Sequence, residues 1–133
     1  MMNEPISSIM STNVVSLDVN DNLSAVMDIL KKNRVHHLPV IDGKKLVGIV
    51  TSWDLLKLNR TFEEYQSIKV SDIMTRKLAV LEPNMHIGSA AEVLLANLFH
   101  AIPIVNDDYE LVGIVTAFDI LRYEHDKEYP PFK

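Results

Sequence analysis

The sequence predicts an α/β fold (α+β by some schemes), made of two β-α-β-β-α repeats packed with pseudo-two-fold symmetry. Three observations carry that expectation. The chain matches itself when shifted by 64 or 65 residues. Each copy holds a run with apolar residues at i, i+3, i+4 and i+7, the mark of a half-buried helix. Each copy also holds two apolar runs around a polar turn, the mark of paired strands. Repeats of this kind decide the architecture before any single element does.

The self-match begins with Ile6-Ser7-Ser8-Ile9-Met10-Ser11, which lies on Val70-Ser71-Asp72-Ile73-Met74-Thr75. Leu23 falls on Ile87, Leu30 on Leu94, Asn33 on Asn97, His36 on His100 and Pro39 on Pro103. Positions 46–56 and 111–121 then agree at eight of eleven residues, a density that chance does not produce. One residue is inserted where Asp42-Gly43-Lys44-Lys45 becomes Asn106-Asp107-Asp108-Tyr109-Glu110, and turns absorb insertions best.

In chain order, Val14-Val15-Ser16-Leu17 and Leu78-Ala79-Val80-Leu81 read as the first strand of each repeat. A helix follows, entered by Asp21-Asn22, with Leu23, Val26, Met27 and Leu30 on one face; Ile87, Ala90, Ala91 and Leu94 repeat that spacing. Leu38–Ile41 with Leu46–Val50, and Ile102–Val105 with Leu111–Val115, read as hairpins, the first turned by Asp42-Gly43. A second helix opens at Ser52 and at Ala117. The repeats are expected at 1–60 and 70–123, with a connector over 61–69 and a frayed or docking tail over 124–133. Roughly 60 residues of this kind are marginal alone, so two copies packed together solve the burial problem.

Composition narrows the function classes. The 133 residues are 47% hydrophobic and 23% charged, ordinary for a globular domain. Net charge is −5, which gives no global reason to bind nucleic acid, whose affinity rests on Lys and Arg neutralising phosphates. The absence of cysteine removes disulfides, thiolate nucleophiles and Cys-type zinc sites, and fits a cytoplasmic setting. No apolar run approaches the ~18 residues of a membrane span, and Met1–Met10 carries no targeting pattern, so no membrane partner is expected. His36 and His37 are adjacent on a strand and point to opposite faces, so no metal site is expected. No nucleophile elbow, Walker loop or dinucleotide glycine motif is present, so no catalytic residue and no enzyme activity are expected.

The duplicated segment Gly48-Ile49-Val50-Thr51-Ser52-Trp53-Asp54 and Gly113-Ile114-Val115-Thr116-Ala117-Phe118-Asp119 ends a strand and opens a helix. Two readings of it stand side by side. Thr at the N-cap with Asp three residues later forms a capping-box arrangement, worth about 1 kcal/mol per cap. Alternatively, free amides at the helix start and the Thr hydroxyl favour phosphate, while the carboxylate accepts hydrogen bonds from the vicinal hydroxyls of a ribose. That pairing is nucleotide-shaped.

These segments, with Ile9-Met10-Ser11 and Ile73-Met74-Thr75, and with His37-Leu38-Pro39-Val40-Ile41-Asp42 and Ala101-Ile102-Pro103-Ile104-Val105-Asn106, give a family resemblance. Over about residues 5–123 the chain resembles a tandem pair of cystathionine-β-synthase (CBS) domains, a Bateman module. The resemblance implies a regulatory module that binds AMP, ADP, ATP or S-adenosylmethionine in clefts between the repeats and reports it to a partner protein. Magnesium enters only as the nucleotide's counter-ion. Carried over residue by residue, one cleft holds Thr51 for phosphate and Asp54 for ribose, with Arg76, Lys77 and Ala79. The other holds Thr116 and Asp119 with Thr12, Asn13 and Val15, while Val35, His36, His37, His100, Ala101 and Ile102 border one or both. Family members often carry a strongly basic residue just before the proline; here histidines and Ala101 stand there, making phosphate binding weaker and more pH-sensitive.

Arg76 and Lys77 stand where the first repeat has Thr12 and Asn13, so the Asp54 cleft is expected to take the more anionic ligand. The first helix also differs between copies. Lys31, Lys32 and Arg34 become Leu95, Ala96 and Leu98, with Phe99 next, so a second apolar face needs cover and a homodimer is expected. The resemblance implies dimerisation through helices. Trp53 and Phe118 are open to either reading, interface or core. The rival function is an interaction or dimerisation module with no bound nucleotide.

Overall fold

The computed structural model describes residues 2–33, 35–97 and 100–130. Along the chain run β1 (Leu17–Asp18), α1 (Leu23–Asn33), β2 (His37–Asp42), β3 (Lys45–Thr51), α2 (Ser52–Leu58), α3 (Phe62–Tyr65), α4 (Val70–Ile73), α5 (Ile87–Asn97), β4 (Ala101–Val105), β5 (Leu111–Thr116) and α6 (Ala117–Glu128). The α/β class and the duplicated order hold, with a 3₁₀ turn at Ile6–Ser8 ahead of the first copy and α4 ahead of the second.

The chain forms two compact bodies, and their boundaries exchange the segments that lead into each repeat. One body is Val15–Leu78; the other joins Met1–Val14 to Ala79–Lys133. In the first, β1 pairs parallel with β2, and β2 pairs antiparallel with β3. Its core gathers Leu17, Leu23, Val26, Leu38, Val40, Val50, Leu55 and Tyr65 with Val70 and Met74, both from the lead-in of the second copy. In the other body β4 pairs antiparallel with β5, and Ile6 from the chain's start is sealed in a core with Ile87, Ala90, Leu94, Ile102, Ile104, Val115 and Ile120. Burying one such isoleucine contributes about 1.5–3 kcal/mol, enough to hold a short segment in place.

The repeated Ile-Met pair has a packing reason. A Cβ built on Gly48 would lie 2.6 Å from Met74 Sδ, and one on Gly113 would lie 2.6 Å from Met10 Sδ. Each methionine thus fills the space that a missing side chain leaves on a strand. Next to it, Thr75 exchanges backbone hydrogen bonds with Ile49 at 2.9 and 3.0 Å, and Ser11 does so with Ile114 at 2.9 and 3.0 Å.

The first strands are shorter than expected. Only Leu17 and Asp18 pair in the first copy, and in the second only Leu81 bridges, to Ile104. The boundaries at 14/15 and 78/79 fall inside the two extended runs, so their early residues are spent passing from one body to the other. The Asp42-Gly43 turn forms as expected, with Gly43 at φ 65°. In the longer turn Tyr109 takes φ 60°, and Asn106 Oδ1 accepts from the amides of Asp108 and Glu110 at 3.0 and 2.9 Å. The run from Glu124 to Glu128, expected as tail, is the end of α6.

Candidate functional site

Both Thr/Asp pairs form complete capping boxes. Thr51 N–H donates to Asp54 Oδ2 at 2.8 Å, and Asp54 N–H donates to Thr51 Oγ1 at 3.2 Å. Thr116 and Asp119 repeat those distances, 2.8 and 3.2 Å. The amide after each threonine is also occupied, since Ser52 N–H donates to the His36 carbonyl and Ala117 N–H to the His100 carbonyl, both at 3.1 Å. Three of the four first-turn amides are therefore taken by the protein. Of the two readings of the segment, the capping box is present in both copies, and it occupies amides that the other reading offers to phosphate.

What stays available is side-chain chemistry. Each threonine oxygen accepts in the cap, which leaves its O–H proton free to donate outward. Each carboxylate gives one oxygen to the cap and keeps lone pairs on both. A cation stands three residues on at matching places: Lys57 Nζ lies 3.7 Å from Asp54 Oδ1, and Arg122 Nη1 lies 4.0 Å from Asp119 Oδ1. The aspartates are mostly buried, with side chains 16% and 14% exposed, while both cations are over half exposed.

Strand register brings the other expected residues together within each body. His37 lies opposite Thr51 on the β2–β3 ladder, and His36 Nδ1 stands 3.5 Å from Ser52 Oγ. Arg76 and Lys77, both exposed, follow Thr75 directly after its bridge to Ile49, two residues before Thr51. Arg76 Nη2 also donates to the Ser71 carbonyl at 3.0 Å. In the other body Ala101 lies opposite Thr116, and exposed Thr12 and Asn13 follow Ser11 after its bridge to Ile114. Ala79 belongs to the body of Thr116, and Val15 to the body of Thr51, so neither shares a body with the partners expected for it. Ile102 is a core side chain with no exposure and offers nothing to a ligand beyond its backbone. Val35 packs against the core of its own body.

The sequence left Trp53 and Phe118 open; both are 62% exposed. Leu56 and Leu121, one helical turn on, are 71% and 66% exposed, a pairing that the spacing in each copy already contained. Leu95 is 78% exposed, as the changed helix face implied, while Arg34, Leu98 and Phe99 lie outside the described residues. Among the described residues no three His, Cys, Asp or Glu side chains group in a way that could hold a metal. No helix among them is long and apolar enough to cross a membrane.

Comparison with known proteins accords with this duplicated arrangement. The family model described as CBS domain matches twice, over residues 6–60 and 70–126. The chain belongs to the CBS-domain family, as a tandem pair. Inosine-5'-monophosphate dehydrogenase of Methanocaldococcus jannaschii is 31% identical over 82% of this chain, which spans 21% of that enzyme. The chain spans from about a fifth to about half of the length of the first curated relatives it matches. Among solved structures, CBSX2 of Arabidopsis thaliana in complex with AMP superposes with a TM-score of 0.85 at 27% identity, covering 94% of this chain and 98% of that one. The CBS domain pair of protein MJ0100, in complex with 5'-methylthioadenosine and S-adenosyl-L-methionine, gives 0.80 at 31% identity and covers 94% and 98%. CBS domain pairs are typically non-catalytic regulatory modules.

Proposed function

We propose that this CBS pair binds an adenosine-containing ligand (AMP, ADP, ATP or S-adenosylmethionine) at Thr51/Asp54 and at Thr116/Asp119, and signals its presence to a partner protein. The observation that carries the reading is the duplicated cap. In both bodies it leaves a threonine proton and a mostly buried carboxylate available side by side, suited to a phosphate or other acceptor and to a ribose diol. Two similar CBS pairs, at 27% and 31% identity, are described with adenosine ligands. Arg76 and Lys77 make the Thr51 side the better place for a polyphosphate, with magnesium arriving only on the nucleotide.

Thermal-shift titration with AMP, ADP, ATP, S-adenosylmethionine, NAD and nucleic acid tests this directly. A ligand held at 100 times its Kd stabilises by about 2.7 kcal/mol. Asp54→Ala and Asp119→Ala should each remove part of that shift. No shift with any adenosine compound would leave the second reading, an interaction module, which the exposed apolar pairs Trp53/Leu56 and Phe118/Leu121 favour. Those pairs also support a homodimer under either reading.

A further inference from the structure

The internal repeat locates one position where the two bodies use different side-chain chemistry, each within itself. In the body of Thr116 and Asp119, Tyr123 O–H donates to Glu4 Oε2 at 2.6 Å, and Lys127 Nζ lies 3.3 Å from Glu4 Oε1. The same ammonium stands 4.5 Å from the centre of the Tyr123 ring. The shifts that align the two copies put Ile68, Leu58 and Phe62 at the corresponding places of the other body, and there Ile68 and Leu58 pack against the core. Backbone bonds hold both lead-ins alike, Ile87 N–H donating to the Glu4 carbonyl at 2.9 Å and Leu23 N–H to the Ile68 carbonyl at 3.0 Å. The side-chain contacts at the outer end differ: apolar in one body, and in the other a three-membered polar latch whose Tyr123 also packs against the core.

The latch is joined to the candidate site in two ways. Glu4, Tyr123 and Lys127 line a cavity of about 380 Å³ together with Asp119, Arg122 and Ser8. From Glu4 the chain then runs through buried Ile6, through Met10 against Gly113, and through Ser11 paired with Ile114, to reach Thr12 and Asn13.

We infer that the Glu4–Tyr123–Lys127 latch positions the lead-in beside Thr116 and Asp119, and that it makes ligand affinity there depend on ionic strength even for an uncharged ligand. The inference rests on reading Thr116 and Asp119 as a ligand site. Exposed charge pairs are screened by salt, whereas apolar packing is not weakened by it. When the latch opens, the lead-in samples positions that do not match the ligand, and apparent affinity falls by the fraction of molecules held correctly. The Thr51 side, anchored by Ile68 and Leu58, lacks this dependence.

The test uses 5'-methylthioadenosine, which carries no charge at neutral pH, titrated calorimetrically into Asp54→Ala and Asp119→Ala variants at low and high salt. In Asp54→Ala, which retains the Asp119 side, affinity should fall about two- to fivefold on adding salt, the scale of an exposed pair. In Asp119→Ala it should not move. Adding Lys127→Met to Asp54→Ala removes the charge pair with Glu4, and should lower the low-salt affinity to the high-salt value and abolish the salt effect. Tyr123→Phe keeps that pair, and should lower affinity while leaving a salt effect. Glu4→Gln, which still accepts from Tyr123, should retain part of the affinity. Hydrogen exchange reads the latch without ligand: Tyr123→Phe should speed exchange at Ile6 and Ser11, which donate to the carbonyls of Met85 and Ile114, and leave Ile104 and Val115 protected. Equal salt dependence at both sites, or a Tyr123→Phe variant that changes neither affinity nor exchange, overturns the inference. If 5'-methylthioadenosine binds no form of the protein, the adenosine reading of this site falls; unchanged exchange at Ser11 would then refute the latch, and acceleration confined to the lead-in would sustain it.

Discussion

Thr51 and Thr116 each do two things with one hydroxyl, and the two are separable by substitution. The oxygen accepts the Asp54 or Asp119 amide, and that bond does not use the O–H proton. Thr51→Ala should cost about 1 kcal/mol in urea unfolding without ligand, the ordinary cost of losing an N-cap, and should also weaken adenosine binding. Thr51→Ser should restore both, and a variant that recovers stability but not affinity would count against the hydroxyl as a ligand group. At Arg76 and Lys77, replacing both by alanine should weaken ADP and ATP binding by roughly tenfold or less, because both side chains are exposed and screened. AMP binding at the Thr116 side should be unaffected, and calorimetry distinguishes the outcomes. The Thr/Asp spacing was legible in the sequence because a capping box is local. The use of the His36 and His100 carbonyls on the next amide was not, since it depends on strand register sixteen or seventeen residues away.

At the level of elements, the repeated Ile-Met motif becomes intelligible only once Met74 and Met10 are seen against Gly48 and Gly113. Gly48→Ala should destabilise by about 1–3 kcal/mol, the usual cost of overpacking a filled space. Shortening Met74 to alanine in the same chain should relieve most of that clash, so the double variant should be more stable than the two single losses summed, as a double-mutant cycle in urea would measure. If the two changes simply add, the methionine is not the neighbour that matters. The helices and hairpins were readable because their periodicities and the Asp42-Gly43 turn are local. The first strands were overestimated for a nonlocal reason: Val14 and Val15 have β-forming side chains, and Leu78 and Ala79 continue an apolar run, but both pairs sit where the chain leaves one body for the other. The exchange of lead-ins was likewise hidden, because the repeat alignment marks where copies begin and not which core Ile6 or Val70 enters.

For the molecule as a whole, pH and association offer independent checks on the duplicated design. Hydrogen bonding from Tyr123, then Lys127, holds the Glu4 carboxyl below its ordinary value of 4.5. A depressed carboxylate stabilises the fold above its unfolded pKa and loses that contribution as pH falls through the folded value. Lys127 is raised by its bond with Tyr123, so its share is present below its ordinary value of 10.5 and is lost as pH rises through the folded one. Chemical denaturation should therefore show latch stabilisation steady around neutrality and lost in acid, with the Tyr123→Phe variant less acid-sensitive than wild type. Association rests on different groups. Trp53 with Leu56 in one body, and Phe118 with Leu121 in the other, expose four large apolar side chains, each at least 62% open. Isolated exposed leucines are unremarkable, but the same pair at the same helical spacing in both copies marks two related patches on one chain. Large aromatics are what interface centres favour, and a second copy of this chain supplies a matching patch by symmetry. Sedimentation equilibrium should show a dimer at micromolar concentration. Leu56→Ser with Leu121→Ser should yield a monomer whose denaturation in the monomeric state differs little from wild type, because exposed positions away from special features usually change stability within about ±0.5 kcal/mol. A wild-type chain that sediments as a monomer throughout would remove the homodimer, and would leave these patches to a different protein partner.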